Sequence, residues 1–365
     1  MSDLPIVIRP DQIRVLGEDR ADAFCVVTNP PYVRAFEVAA SPRHDRSMVL
    51  AYDGTTPFED FIRERVPERS HVLTILPDCL LHSVPADALG ERKLLIMACR
   101  SGQTGLDGIA HFLRVGQLTD PREQQAFADS FFARGQATEH LVLVDDDFGT
   151  SARFNHLDDQ YEWHEQLGEV EWGGQQVYPA GEIACFLVPL KSTDLEDDRR
   201  FDVDGRLALR GRLIVQSGPP SFLLADQERI YRRLSTIAES ALLVDVSGGV
   251  ITAVQPADDR CRPAATMLES LFEVDSRFSQ IFEFGFAFNR DATPWPGNCA
   301  MNEVYGGAHG QLHVGLGMLP HTQYHIDMFL TGTRVHGHDG ELLFGGPAGP
   351  MARRRAAMCP CLVTV

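Results

Sequence analysis

The chain is poor in basic residues: 33 Lys and Arg stand against 51 Asp and Glu in 365 residues, a net charge of −18. That excludes a nucleic-acid partner, whose phosphates call for clustered Lys and Arg. The one dense basic run, Arg353 to Arg355, is flanked by small residues and reads as a solvated turn. No apolar run reaches eighteen residues, which excludes a spanning helix, and no membrane partner is expected. The opening stretch, MSDLPIVIRPDQIRV, lacks the basic start and long apolar segment of a signal peptide. Neither Gly-x-Gly-x-x-Gly nor a Walker A sequence follows any strand-like run, so nucleotide binding is not supported. Ser101 to Gly105 is a glycine loop only. The eight cysteines are scattered, and Cys25, Cys79, Cys99 and Cys185 sit in apolar runs, as reduced core residues of a cytoplasmic protein do. Cys359-Pro-Cys361 is the one close pair. Histidine is missing from His164 to His309, yet six of the thirteen (His309, His313, His321, His325, His336, His338) follow within thirty residues.

What is present in the first half is alternation. From Phe24 to Asp147 the runs AFCVV, SMVLAY, HVLTIL, KLLIMA and HLVLVD are separated by helical patterns, among them Pro57 to Arg65 and Pro121 to Arg134. Short continuous apolar runs are the mark of strands buried on both faces of a parallel sheet, and the rhythm is that of an open α/β domain. Asp145 to Asp147 reads as an acidic loop tip. His111, His156 and His164 are isolated, and no chemistry is assigned to them. Near Glu165 to Gly174 the composition turns polar and Gly-rich (EQLGEVEWGG), which divides the chain into an α/β scaffold domain (1–174) and a strand-rich domain (175–365).

The second half carries the chemistry. Glu182 sits between a glycine and an apolar run, where burying an unpaired carboxylate is costly, so it wants a cation. After a charged loop from Asp194 to Asp204, strands are expected at Leu207 to Gln216 and Ser221 to Leu224. A helix follows from Asp226 to Ser240, then a hairpin turning at Ser247-Gly248-Gly249 and a helix from about Pro263 to Phe272. Glu283 lies among phenylalanines, and so is paired with an arginine such as Arg277 or Arg290, protonated, or metal-bound. His313 falls on the strand face opposite Leu312 and Val314. His325 and Asp327, two apart on a strand, share a face. An imidazole beside a carboxylate is a common ligand pair for zinc, iron or manganese; the plainer reading is a strand histidine bonded to its neighbouring aspartate. Two imidazoles and three carboxylates exceed the needs of one four-coordinate zinc. They suit two bridged ions about 3.5–4 Å apart, or one ion with an acid/base carboxylate beside it.

Taken in order, Tyr178-Pro-Ala-Gly-Glu182-Ile, Glu283-Phe-Gly-Phe-Ala-Phe-Asn289, His313-Val-Gly-Leu-Gly317 and His325-Ile-Asp327-Met resemble the metal-binding segments of the aminopeptidase T and S family of metallopeptidases. The resemblance implies an N-terminal open α/β domain plus a C-terminal strand-rich α+β domain, a cleft between them, and a homodimer. It also implies Glu182, Glu283, His313, His325 and Asp327 as ligands of one or two divalent metals (Zn or Mn), with Glu182 or Glu283 as general base. The link from His313 to His325 is shorter than the peptidases' insertion, which carries a tyrosine ligand. Tyr324 cannot replace it, because it is adjacent to His325 and points to the opposite face. The same superfamily includes 2,5-dihydroxypyridine 5,6-dioxygenases, which hold one Fe(II) on two histidines and a carboxylate. Their additional histidine falls where this chain has Leu271 to Glu283 and no histidine, so His309 or His313 would have to supply it. Other relatives occur in the biosynthesis of ribosomally made, modified peptides (RiPPs).

The function expected is therefore a metal-dependent enzyme acting on a peptide or amide, of the kind that modifies a precursor peptide in natural-product biosynthesis. The alternatives are a peptide-binding protein of a RiPP pathway without hydrolytic activity, and an Fe(II) ring-cleaving dioxygenase.

Overall fold

The computed structural model describes residues 4–80, 83–102, 104–187, 199–217, 223–319 and 321–345. Arg353 to Arg355, Cys359 and Cys361, Ser221 and Phe222, and residues 194–198 of the charged loop lie outside them. A small parallel pair joins β1 (Ile6–Ile8) to β3 (Phe36–Val38). The apolar runs of the first half build an all-parallel sheet in the order β10 (Gln175–Val177), β6 (Lys93–Met97), β5 (Ser70–Ile75), β2 (Ala21–Thr28), β4 (His44–Ala51). Its inner strands β2, β5 and β6 are mostly buried because both faces are covered, whereas the edge strands β4 and β10 are more open. Phe24 and Val26 of β2 pack with Ile109 and Phe112 of α3 (Leu106–Leu118). Cys25 and Val27 pack with Phe61 and Ile62 of α1 (Phe58–Arg65) and Leu89 of α2 (Ala86–Leu89). Burying such side chains fully contributes roughly 1.5–3 kcal/mol each.

The fifth run departs from expectation. As β7 (Leu141–Asp145) it belongs not to the parallel sheet but to an antiparallel one, between β8 (Thr150–Phe154) and β19 (Arg334–Gly337). Its burial alternates, with Val142 and Val144 only half-buried; one exposed face suits an antiparallel strand, and a run of valines hides that alternation. The full order of this sheet is β15 (Val250–Pro256), β14 (Ala241–Ser247), β12 (Val203–Arg210), β8, β7, β19, β20 (Leu342–Gly345). The Ser-Gly-Gly hairpin lies between β14 and β15 as expected. A third sheet, also antiparallel, runs β13 (Leu213–Ser217), β18 (Tyr324–Phe329), β17 (Gln311–Leu316), β16 (Ile281–Ala287), β11 (Glu182–Leu187), β9 (Tyr161–Gln166). Sheet membership thus crosses residue 174 in both directions: β7, β8 and β9 join strands of the second half, and β10 joins those of the first. Leu224, expected in a strand, opens helix α5 (Leu224–Leu234), which passes into a 3-10 turn at Ser235–Ala238. α4 (Pro121–Gln136) and α6 (Arg262–Val274) complete the helices. Among the described residues no helix is long and apolar enough to cross a membrane, and the six described cysteines are free thiols.

One buried pair makes the parallel sheet acid-sensitive. His44 and His71 lie at the starts of β4 and β5, with His44 Nε2 3.0 Å from His71 Nδ1 and His71 stacked on Trp172. Burial pushes both below their ordinary value, His44 to about 4 and His71 to about 3, with Arg43 opposing charge on both and Lys93 on His71. Both are held neutral, so their contribution is present above about pH 6.5 and is lost as pH falls towards 4, where the unfolded chain binds protons the fold does not. Urea unfolding at pH 7 and 4.5 is expected to show a loss that His71→Gln reduces; an unchanged pH slope in that variant would refute this.

Candidate metal centre

The third sheet has two unlike faces. Odd-numbered residues of β11 (Ile183, Cys185, Leu187) and even-numbered residues of β16, β17 and β18 (Phe284, Phe286, Leu312, Val314, Ile326, Met328) bury into the main core. Successive side chains alternate, so Glu182, Glu283, His313, His325 and Asp327 all project from the other face. That face meets the end of the parallel sheet: Ile214 and Phe329 pack with Ala300 and Ala98, the residue after β6.

Pairing register brings the five together. Across β16, β17 and β18, Glu283 stands opposite Gly315 and Gly315 opposite Asp327, while one step along Gly285 stands opposite His313. The glycines make the room. A Cβ on Gly285 would lie 2.0 Å from His313 Nε2 and 2.6 Å from Glu182 Oε1; one on Gly315 would lie 2.5 Å from His325 Cε1 and 2.8 Å from Glu283 Cβ. The result is two adjoining clusters, Glu182–Glu283–Glu303–His313 and Glu283–His325–Asp327, with ligand atoms of each group within 4.8 Å of one another.

Glu283 belongs to both. Its Oε1 lies 3.7 Å from His313 Nε2, and its Oε2 lies 2.8 Å from His325 Nε2. His313 Nε2 is also 3.2 Å from Glu182 Oε1 and 3.9 Å from Glu303 Oε1, and His325 Nε2 is 2.7 Å from Asp327 Oδ1. Two contacts orient the second cluster. His325 Nδ1 donates to the Gly317 carbonyl at 2.6 Å, which leaves Nε2 to face the carboxylates. Gln216 Nε2 donates to Asp327 Oδ2 at 3.0 Å. Gly317 is at φ 72°, in the left-handed region that favours glycine.

Electrostatically the cluster crowds negative charge into a largely buried place. Burial raises Glu182 to about 8, with Glu283 and Asp327 adding repulsion and the His313 imidazole opposing. Burial and repulsion from Glu182 likewise push Glu303 well up. Burial works against Glu283 too, but His313 and His325 outweigh it and hold it at about 2. Both histidines are raised, His313 to about 9, because the surrounding carboxylates outweigh burial. His313 Nδ1 is buried with no hydrogen-bond partner, and Glu182 Oε1, His313 Nε2 and Asp327 Oδ1 meet only ion-pair contacts without hydrogen-bond geometry; a buried polar group left unsatisfied costs about 1–3 kcal/mol. Four carboxylates are matched in charge by two divalent cations, which would also give the orphaned atoms their partners. The donor set fits a metal, and Zn and Mn accept both donor types.

Two alternatives for these residues are settled by geometry. Among the described residues Glu283 has no arginine: Arg277 pairs with Asp275, and Arg290 is exposed. Tyr324 points away, donating its hydroxyl to Asp226 Oδ2 at 2.9 Å. Glu303 was not legible in the sequence. It sits in a 3-10 turn, Ala300–Val304, where no strand alternation marks it, and only the fold brings that turn over the sheet. Its side chain is 22% exposed and that of His325 14%, against 0–2% for the other four, so solvent reaches the cluster past these two.

No family model matches the chain, and no curated protein matches it by sequence. Solved structures do. 2,5-Dihydroxypyridine dioxygenase from Pseudomonas putida KT2440 superposes with a TM-score of 0.55 over 93% of this chain and 96% of its own, at 14% identity. Wild-type AmpT from Thermus thermophilus gives a TM-score of 0.47 at 11% identity, covering 91% of this chain and 95% of that one. The mixed α/β fold, with its parallel sheet and two antiparallel sheets, is therefore shared with the dioxygenase along nearly the whole length of both chains. At this identity the likeness is one of fold.

Proposed function

We propose that the chain is a metal-dependent enzyme acting on a peptide or amide, with two divalent cations held by Glu182, Glu303 and His313 on one side and His325 and Asp327 on the other. The observation that carries this reading is Glu283, whose two oxygens face different histidines and so suit a bridge. Bound divalent metals would polarise a carbonyl oxygen and activate water. Among the carboxylates Glu303 is the one open to solvent, and it joins Glu182 as the candidate for proton transfer at the reacting bond. Glu303→Gln is expected to lower kcat on unblocked peptides or aminoacyl anilides about 10²–10³-fold while some metal remains bound; unchanged turnover would remove it from that role. An iron site on two histidines and a carboxylate finds less support, because neither cluster contains two histidines.

The deciding measurement is metal content of tag-free protein, with His325→Ala and Asp327→Ala alongside. About two equivalents of zinc or manganese, reduced in both variants, is the expected result. One equivalent of iron would favour oxygenase chemistry. No metal, in folded protein with unaltered variants, would overturn the enzyme reading and leave a peptide-binding protein.

A further inference from the structure

A cavity of about 270 Å³ opens where the first turn of α4 meets the chain leaving β16, and Glu123, Gln124, Phe127, Phe288 and Asp291 line it. Its chemistry is not that of the metal centre. The Glu123 and Asp291 carboxylates are exposed at its mouth and form no ion pair among the described residues; partial desolvation and repulsion from Glu123 push Asp291 above its ordinary value, with Arg14 opposing. Gln124 is 6% exposed; its Nε2 donates to the Ala180 carbonyl at 3.0 Å, while its Oε1 is buried with no partner. The floor is apolar, formed by Phe127 and Phe288 with ring centroids 4.4 Å apart. Asp120 on the rim is already engaged: it caps α4 and pairs with Arg14 at 3.1 Å. Arg290, also on the rim, is exposed and pairs with none of these carboxylates.

We propose that this cavity binds an organic ammonium group carried on an apolar stem. Two unpaired carboxylates and an orphaned amide oxygen are acceptors without donors, and an ammonium supplies three donors and the missing charge. Phenylalanine rings favour a cation with an alkyl stem. A small metal ion fits less well, because among the described residues no third His, Cys, Asp or Glu gathers with these two carboxylates within 4.8 Å, as the ligands of the metal centre do. The site is independent of the metal centre in its residues but adjacent in the chain. Gln124 and Asn289 both donate to the Ala180 carbonyl, two residues before Glu182.

The ammonium could come from a free amine or from a lysine side chain, and calorimetry on the full-length protein separates them. The probes are butylammonium, Nα-acetyl-lysine amide and, as an uncharged isostere, Nα-acetyl-norleucine amide. Binding of either charged probe, no binding of the norleucine compound, and at least about tenfold weaker binding in Asp291→Asn would support the site. Preference for the lysine compound would identify a peptide side chain as the source, and preference for butylammonium a free amine. Glu123→Gln, an exposed position, is the second variant and is expected to weaken binding in the same direction. Failure of both charged probes to bind at millimolar concentration, equal binding of the norleucine compound, or full affinity in both variants would overturn the proposal. None of these outcomes depends on metal loading.

Discussion

Glu283→Gln is expected to weaken both metal ions together rather than one. The substitution keeps the shape and burial of the side chain, so the fold has no steric reason to change, but it removes the charge from the residue shared by the two clusters. With Glu283 neutral, one cluster keeps Glu182, Glu303 and His313, and the other only His325 and Asp327. Since even supporting contacts around a metal are worth 10–100-fold in affinity, loss of a bridging ligand should weaken each ion by at least about 10²-fold. Metal titration followed by calorimetry checks this. Thermal stability gives a second reading: a metal present at about 100 times its dissociation constant stabilises the native state by about 2.7 kcal/mol. Wild-type protein should therefore melt several degrees lower after chelation, whereas Glu283→Gln should hardly respond. Selective loss of one ion would mean that Glu283 is a ligand of a single site and that the bridge is wrong.

The second large effect comes from positions with no chemistry of their own. Gly285→Ala and Gly315→Ala each add one methyl group to a sheet face that has no space for it. At Gly285 the methyl would occupy the place of the His313 ring edge, and at Gly315 it would press on His325 and Glu283. Overpacking of this kind costs about 1–3 kcal/mol, and any relief must come from moving the imidazole. Each variant is expected to unfold at lower urea and to bind less metal, Gly285→Ala mainly in the cluster of Glu182 and His313, and Gly315→Ala in both clusters, because it presses on the shared Glu283. If both retained the full metal complement and wild-type stability, the tight approach of ring and glycine would not exist in solution.

These glycines also show what the sequence could and could not reveal. The period-two pattern around Glu182, Glu283, His313 and His325 was enough to place the polar residues on one side of each strand, because a strand's alternation is written locally. It was also enough to see that Glu283 was anomalous among phenylalanines. Cross-strand register was not legible: that Gly285 lies beside His313, or Gly315 between Glu283 and Asp327, depends on pairings between distant segments. Glu303 was missed for the same reason. A 3-10 turn carries no periodic signal, and only tertiary placement makes its carboxylate part of the cluster. β7 was misplaced because valine and leucine look alike in a doubly buried parallel strand and a half-buried antiparallel one.

The exchange of strands across residue 174 bears on how the chain reaches its native state during synthesis. The parallel sheet lacks its β10 edge until residues 175–177 have left the ribosome. β7 waits far longer, since Arg334 to Gly337 is one of its two neighbours. Until that late strand emerges, β7 offers an open edge to any extended segment nearby. Closure of this sheet thus waits until residues 334–337 have been made, and assembly of β16, β17 and β18 around the acidic cluster until β18 has. A nascent chain halted before residue 334 should bind chaperones more persistently than one halted after residue 345.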